Sequence, residues 1–503
     1  MKLVEVIPFG SDGLAAYFTT WEVQYHGKPS ETYFVPLGFV AAERAAEIRQ
    51  ANPQAVVAQL KITEASGEVE GILCDAVFDT NFCKALMTAV ARGRRFKANG
   101  TELLAEPSKV FREAYGPVEL EPTILKREQS NTSVTFGDRL IFKLIRRVSE
   151  GLNPDLEIGR FLTEKAGFAF SPVFAGALQL RKGRAEPAMV GIIHGLVPNE
   201  GDAWGYTQDS LAHYFDEILA RQPDAKEAAL TPRPLLELAD EQIPEFAREA
   251  LGSFLPSMML LGQRTGELHR ALASDLKTAA FAPEPFTTLN RRSLYQSMRT
   301  QADQSLSLLG KRLKDLPDPI RANADKVLKL KNVISARFRQ LLDGNSTAMR
   351  IRGHGDFHLG QVLFTGKDFV IIDFEGEPTR PLGERRMKRS PLRDVAGMLR
   401  SFNYAATVKL KSTTTRTDDP VLLRPWARFW NRWVSVAYLR GYLDATAQAG
   451  LLPTTRGELA FLLDIHLLEK ATYELAYELN NRPDFVDVPI MGILDILHSS
   501  DTA

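Results

Sequence analysis

Ile351-Arg352-Gly353-His354-Gly355-Asp356-Phe357-His358-Leu359-Gly360-Gln361-Val362-Leu363-Phe364 is the stretch on which the reading of this chain turns. A turn, Thr365-Gly366-Lys367-Asp368, follows it, and an apolar run returns as Phe369-Val370-Ile371-Ile372-Asp373-Phe374-Glu375-Gly376. This pattern predicts a short hairpin preceded by a glycine-flanked loop. Asp356 falls in the loop, where the backbone can hold a side chain toward a ligand. Gln361 and Asp373 fall at the two ends of the hairpin. Their oxygens can converge on one hard cation such as Mg²⁺, which takes carboxylates plus phosphate oxygens. Asp356 is then left to orient a hydroxyl and accept its proton. Metal neutralisation and a positioned acceptor are the working parts of a phosphoryl-transfer site. The plainer reading is a glycine-rich loop beside a buried hairpin with incidental acids.

The order His-x-Asp-x-x-x-x-Gln, then Asp-Phe-Glu, resembles the catalytic loop and metal-binding strand end of protein-kinase-like enzymes. It is similar in particular to the small-molecule branch of aminoglycoside phosphotransferases and choline kinases. Gln361 stands where most of that branch carries Asn, and an amide oxygen survives the change. The resemblance implies ATP as donor, a lysine on an amino-terminal strand and an acid on the next helix. Lys143 lies inside the apolar run Leu140-Ile141-Phe142-Lys143-Leu144, where a charge needs a reason. Glu157 follows fourteen residues later, in a helix marked by Asn153 as cap and Pro154 at its first position. An ion pair between them would aim the ammonium at ATP phosphates, although an edge-strand lysine facing solvent would read the same. Ser130, Asn131, Thr132 and Ser133 precede the hairpin, where a kinase places its glycine-rich loop. This loop has no glycine, and its hydroxyls and N–H groups are the expected phosphate contacts. After the run Ala188–Ile193, Gly195 and Val197 fall where backbone groups would meet adenine.

Working outward, the first ~75 residues alternate short β-branched runs with turns such as Gly10-Ser11-Asp12-Gly13 and His26-Gly27-Lys28-Pro29. A helix is expected over Thr80–Ala91 with Asn81 as cap. Beyond residue 200 helical periodicity dominates, over 205–222, 255–274, 290–310, 318–343, 390–410, 421–447 and 456–481. Residues 407–420 read as a mobile loop. The expected fold is α+β and bilobal, protein-kinase-like. A β-rich cap would cover 1–115, an intermediate ATP-binding sheet subdomain 116–200, and a mostly helical lobe with the catalytic loop and acceptor site 201–503.

The 503 residues carry 62 Lys+Arg and 62 Asp+Glu, so no net charge marks the chain for nucleic acid. Cys74 and Cys83 are too few for a disulfide framework or zinc cluster. No apolar run approaches the ~18–20 residues of a membrane span. These features predict a cytoplasmic protein without membrane or nucleic-acid partners. The sequence has no G-x-x-x-x-G-K-[ST], G-x-G-x-x-G or G-x-S-x-G, so P-loop, dinucleotide and hydrolase-elbow readings lack their fingerprints.

Other stretches narrow the resemblance. His354–Gln361 and Ile372-Asp-Phe-Glu-Gly-Glu-Pro378 look like maltokinase, as do Leu261–Arg270, Ser390–Phe402 and Leu468–Pro483. These span about the last 250 residues. The resemblance implies transfer of the γ-phosphate of ATP to the anomeric hydroxyl of maltose, giving maltose 1-phosphate for α-glucan synthesis. It also implies trehalose synthase as a candidate partner. A kinase for an aminosugar or amino alcohol is one alternative, and a non-catalytic partner of trehalose synthase is another.

The acceptor site is expected to include His358 and Glu375. Lys470, Tyr473, Glu474, Tyr477, Glu478 and Asn481 recur at helical spacing along one stripe. Lys470, Glu474 and Tyr477 are the expected sugar contacts, and a surface face with Glu–Lys pairs and aromatic flanks packed inward would show the same spacing. The run Arg380, Arg385, Arg386, Lys388, Arg389 and Arg393 reads as an acid-paired or solvated face. Asp394 is expected to begin and brace a core helix.

Overall fold

Alternation of period two builds the first part of the chain. A computed structural model describes residues 1–11, 14–64, 67–116, 119–125, 131–224, 226–229, 233–343, 346–413 and 419–500. Strands β1 (Lys2–Ser11), β2 (Leu14–Tyr25), β3 (Lys28–Ala41), β4 (Val56–Glu64) and β5 (Gly67–Asp75) form an antiparallel sheet in the order β1-β2-β3-β5-β4. From Phe34 onward β3 alternates buried and half-buried positions, as one core-facing side requires. Helix α1 (Ala42–Ala51), which the sequence pattern did not announce, follows β3, and α2 (Thr80–Ala91) has the expected bounds. Asp79, not Asn81, caps α2: its carboxylate accepts the N–H of Asn81.

A second sheet takes β6 (Arg95–Ala98), β7 (Thr101–Pro107), β8 (Pro122–Ile124), β9 (Thr132–Phe136), β10 (Leu140–Leu144), β12 (Phe174–Lys182) and β13 (Ala188–Gly195). Its order is β6-β7-β12-β13-β10-β9-β8, while β11 (Arg147–Val148) pairs with β3 of the first sheet. Helices α3 (Phe111–Tyr115) and α4 (Pro154–Phe161) accompany it. Phe9, Phe18, Phe34, Phe82 and Phe96 share one buried core with Phe136, Phe142 and Ile193. The expected boundary at 115/116 therefore cuts through one sheet and one core. Residues Met1–Pro198 instead form a single compact unit, joined by Pro378–Arg386. Cys74 and Cys83 are free and buried within it.

The second unit comprises Asn199–Glu377 and Met387–Ala503. It contains α5 (Ala203–Arg221), α6 (Leu235–Asp240), α7 (Glu245–Leu251), α8 (Phe254–Leu272), α9 (Thr288–Arg312), α10 (Asp318–Lys329) and α11 (Lys331–Arg339). The pairs β14 (Glu284–Pro285) with β15 (Met349–Arg350), and β16 (Val362–Phe364) with β17 (Phe369–Ile371), are its sheets among the described residues. Helix α12 (Leu382–Arg385) lies in the segment that belongs to the first unit. Helices α13 (Leu392–Thr413), α14 (Asp419–Thr446), α15 (Arg456–Asn481) and α16 (Asp487–Ser500) complete the chain.

Residues 407–413, expected in a loop, continue α13, and 419–420 open α14; residues 414–418 lie outside the described residues. Helices α8 and α14 touch backbone to backbone. A Cβ at Gly262 would stand 2.0 Å from the carbonyl oxygen of Tyr438, and one at Gly441 would stand 1.9 Å from that of Met259. Among the described residues no helix is long and apolar enough to cross a membrane.

Candidate active site

The loop carrying Asp356 is held by Asp394, near the start of α13. Its carboxylate accepts the backbone N–H of His354 at 2.7 Å and of Gly355 at 2.9 Å. A Cβ at residue 353 would meet Asp394 at 2.6 Å, so Gly353 makes room for this anchor. On its far side Asp394 meets Nε2 of the buried His269 at 3.3 Å, and His269 Nδ1 lies 3.1 Å from the Tyr442 hydroxyl. Burial alone would push the Asp394 carboxyl up. The hydrogen bond and charge of His269, the charge of His354 and the Gly355 N–H overcome this and bring it to about 2. His354 donates from Nε2 to the Ile372 carbonyl at 2.9 Å, bolting the loop to the end of β17. The expected bracing role of Asp394 thus extends to the loop itself.

Asp356, half-buried, lies 3.6 Å from the Lys470 ammonium of α15. Lys470 in turn sits 5.1 Å from the ring centroid of Tyr473, whose hydroxyl donates to the buried Glu377. His358 accepts the Gly360 N–H at Nδ1, which places its proton on Nε2. Burial, together with the charges of Lys470 and His354, lowers its pKa against the opposing pull of Asp356 and Asp373, so the ring is neutral at pH 7.

The α15 stripe divides. Lys470 and Tyr473 face the loop and Glu377. Glu474, expected beside a sugar, is buried against α13, where Arg400 binds it at 2.7 and 2.9 Å. Glu478 is likewise committed, to Tyr404 and Arg482. Tyr477 is exposed, with Arg482 over its ring.

The hairpin brings Gln361 and Asp373 together through main-chain bonding. Ile372 N–H donates to the Gln361 carbonyl at 3.0 Å, and Val362 pairs with Ile371. Asp373 has φ 64°, a left-handed conformation rare for a residue with a side chain. Such strain is held where the surrounding structure fixes a side chain's aim. Glu375, expected near the acceptor, offers a carboxylate oxygen within 4.8 Å of one from Asp373. Carboxylate oxygens so placed are hard donors of the kind Mg²⁺ takes.

In the first unit, Lys143 lies on β10, an interior strand bonded to β9 and β13, so it is not an edge-strand lysine. Its register partners are Ser133 and Ile192. Opposed residues share a face, and Ser133 Oγ beside Lys143 is buried without a hydrogen-bond partner among the described residues. Thr132 Oγ1 instead accepts from Arg146, which ties β9 to Asp75. Asn131 occupies the bend before β9, and Ser130 lies outside the described residues. The Gly195 N–H is spent on the Val173 carbonyl at 2.8 Å, so it is no free donor; Val197 follows two residues beyond. Glu157 receives Nε and Nη2 of Arg386, each at 3.0 Å.

Within the basic run, Lys388 is buried on Glu284 and two carbonyls, and Arg380 lies near Glu384. Sequence reasoning gave no role to His269. Its signal was a histidine on the apolar face of α8, shared with Leu261, Thr265, Leu268 and Leu272.

No protein-family model matches the chain. It is 25% identical over 381 residues to a glucosamine kinase of Streptacidiphilus jiangxiensis, covering 74% of this chain and 72% of that one. A glucosamine kinase of Mycolicibacterium smegmatis is 25% identical over 287 residues, 57% of this chain and 59% of its own. The solved structure of a glucosamine kinase in complex with glucosamine, ADP and inorganic phosphate aligns with a TM-score of 0.61 at 20% identity. That alignment covers 99% of this chain and 93% of the other. The fold is therefore kinase-like, β-rich in its amino-terminal region and helical in its carboxy-terminal region.

Proposed function

We propose that this chain is an ATP-dependent sugar kinase. The observation that carries the reading is Asp356, half-buried in a glycine-flanked loop anchored at Asp394, with a lysine ammonium 3.6 Å away. The resemblance to glucosamine kinases supports the same class. Asp356 orients the acceptor hydroxyl and takes its proton. The hydroxyl oxygen bonds to the γ-phosphorus, the bridging P–O bond breaks, and ADP leaves with that electron pair. Lys470 draws the transferring phosphoryl oxygens toward the base, and neutral His358 offers an Nε2–H donor beside them. Lys143 and the Ser133 hydroxyl serve the nucleotide phosphates. Gln361, Asp373 and Glu375 would hold Mg²⁺, which neutralises phosphate charge when bound. Positioning and electrostatics lower most of the barrier.

For the acceptor, the motifs of the last ~250 residues favour maltose and its anomeric hydroxyl. An ammonium already stands beside the base, and Glu474 is spent on Arg400, so the α15 face suits a neutral polyol. Glucosamine is the second reading, favoured by the names of the relatives. Incubation with Mg-ATP and maltose, trehalose, glucose, glucosamine or kanamycin, followed by phosphorus NMR, separates them. A sugar-phosphate signal with maltose alone, split by an anomeric proton, supports the first reading. A signal with glucosamine alone replaces it with the second. Silence across the panel overturns the kinase.

A further inference from the structure

Glu157 is the fourth residue of α4, and its side chain is only 9% exposed. Its carboxylate is gripped through two N–H bonds by one guanidinium, from a residue 229 positions away. Most surface ion pairs contribute little. This one differs: the acid is largely buried and the contact is two-pronged, the geometry in which arginine and lysine are not equivalent.

Arg386 closes the segment Pro378–Arg386, which packs with the first unit although the chain on either side belongs to the second. The segment is braced from within. Arg385 donates to the carbonyls of Arg380 and Pro378, each at 2.7 Å, and Arg380 lies 3.6 Å from Glu384. Arg386 pins this braced segment to α4. The segment starts five residues after Asp373, at the end of the stretch that carries the metal-side acids.

We infer that Arg386 is a positioning residue for nucleotide binding: its guanidinium fixes the Glu157 carboxylate and pins the segment downstream of Asp373 to α4. This rests on the reading of Glu157 and Lys143 as the pair that serves the nucleotide phosphates. Removing Arg386 takes the two-pronged bond from a largely buried carboxylate.

The test is the Mg-ATP dissociation constant of the full chain by calorimetry, with KM for ATP and for the best sugar measured alongside. R386M is expected to weaken Mg-ATP by about tenfold or more, while sugar KM stays within about twofold. R386K, which keeps charge but loses the fork, should fall between R386M and wild type. E157Q with R386M should bind no more weakly than E157Q alone, because the two act through one contact. A folded R386M that binds Mg-ATP as wild type does overturns the inference. If R386M does not fold, R386K with wild-type affinity overturns it. Wild-type protein that binds no Mg-ATP overturns both this inference and the kinase reading. Binding that depends on Arg386, without transfer to any sugar, supports this inference and overturns the sugar-kinase reading alone.

Discussion

Asp394 does its work without touching a reacting atom. Its carboxyl, held at about 2, has fixed both N–H groups of the loop that presents Asp356. A carboxyl with a depressed folded-state pKa contributes stability that is complete above its unfolded value and is lost as pH falls through the folded one. The shift from 3.8 to about 2 corresponds to about 2 kcal/mol. Wild-type protein should therefore lose stability between about pH 4 and pH 2, and D394N should lose that part of the dependence. Equilibrium denaturation at stepped pH reads it. D356N should keep Mg-ATP binding and lose about 10²–10⁴ in kcat, checked by initial rates beside calorimetry.

The two aspartates also show what a single sequence displays. The loop and hairpin around Asp356 were legible because their signal lies within about twenty residues, but its ion-pair partner Lys470 lies 114 positions away. The function of Asp394 was only half legible, and that of His269 not at all, because their bond spans 125 positions. Thr132 and Gly195 sat where the kinase pattern wanted them. Their donors and acceptors were already engaged by Arg146 and Val173, which local spacing does not reveal.

Among the elements, α15 tells the same story at the scale of a helix. Spacing correctly placed Lys470, Tyr473, Glu474 and Glu478 along one stripe. A stripe on a buried helix is wide enough to meet two neighbours. Here Lys470 and Tyr473 meet the Asp356 loop and Glu377, and Glu474 and Glu478 meet α13. Periodicity states the direction of a side chain but not what fills the space there. E474M strands the buried Arg400 and should cost about 3–5 kcal/mol, read as a lower denaturation midpoint. Its effect should fall on stability before sugar KM. The α8–α14 contact gives a sharper case. G262A pushes a methyl group into the Tyr438 carbonyl, and overpacking of this kind costs about 1–3 kcal/mol. Thermal unfolding measures it, and an unchanged midpoint would mean that the helices part without strain.

For the molecule as a whole, the sequence pattern set out three regions, and the chain forms two compact units. The strands before residue 75 and the hairpin of β9 and β10 were readable, but β6, β7 and β12 were not, nor was the pairing that joins them. Gly176 of β12 pairs with Pro107 of β7 across 69 positions, and that pairing carries β6 and β7 into the second sheet. Strand signals are local and sheet order is not. Mg-ATP at about 100 times its dissociation constant should stabilise the folded protein by about 2.7 kcal/mol, seen as a raised thermal midpoint. D356N should keep that rise.

The excursion of Pro378–Arg386 also has a consequence for biosynthesis. A ribosome that has released Pro198 still has about 180 residues to make before Pro378 emerges. At about 5–20 residues per second, that is a wait of about 10–40 s. Throughout it the nascent first unit lacks its last segment, and Glu157 lacks its arginine. The unit that folds first in time is thus finished by chain that is translated late, and a fragment ending at residue 198 would remain in that waiting state.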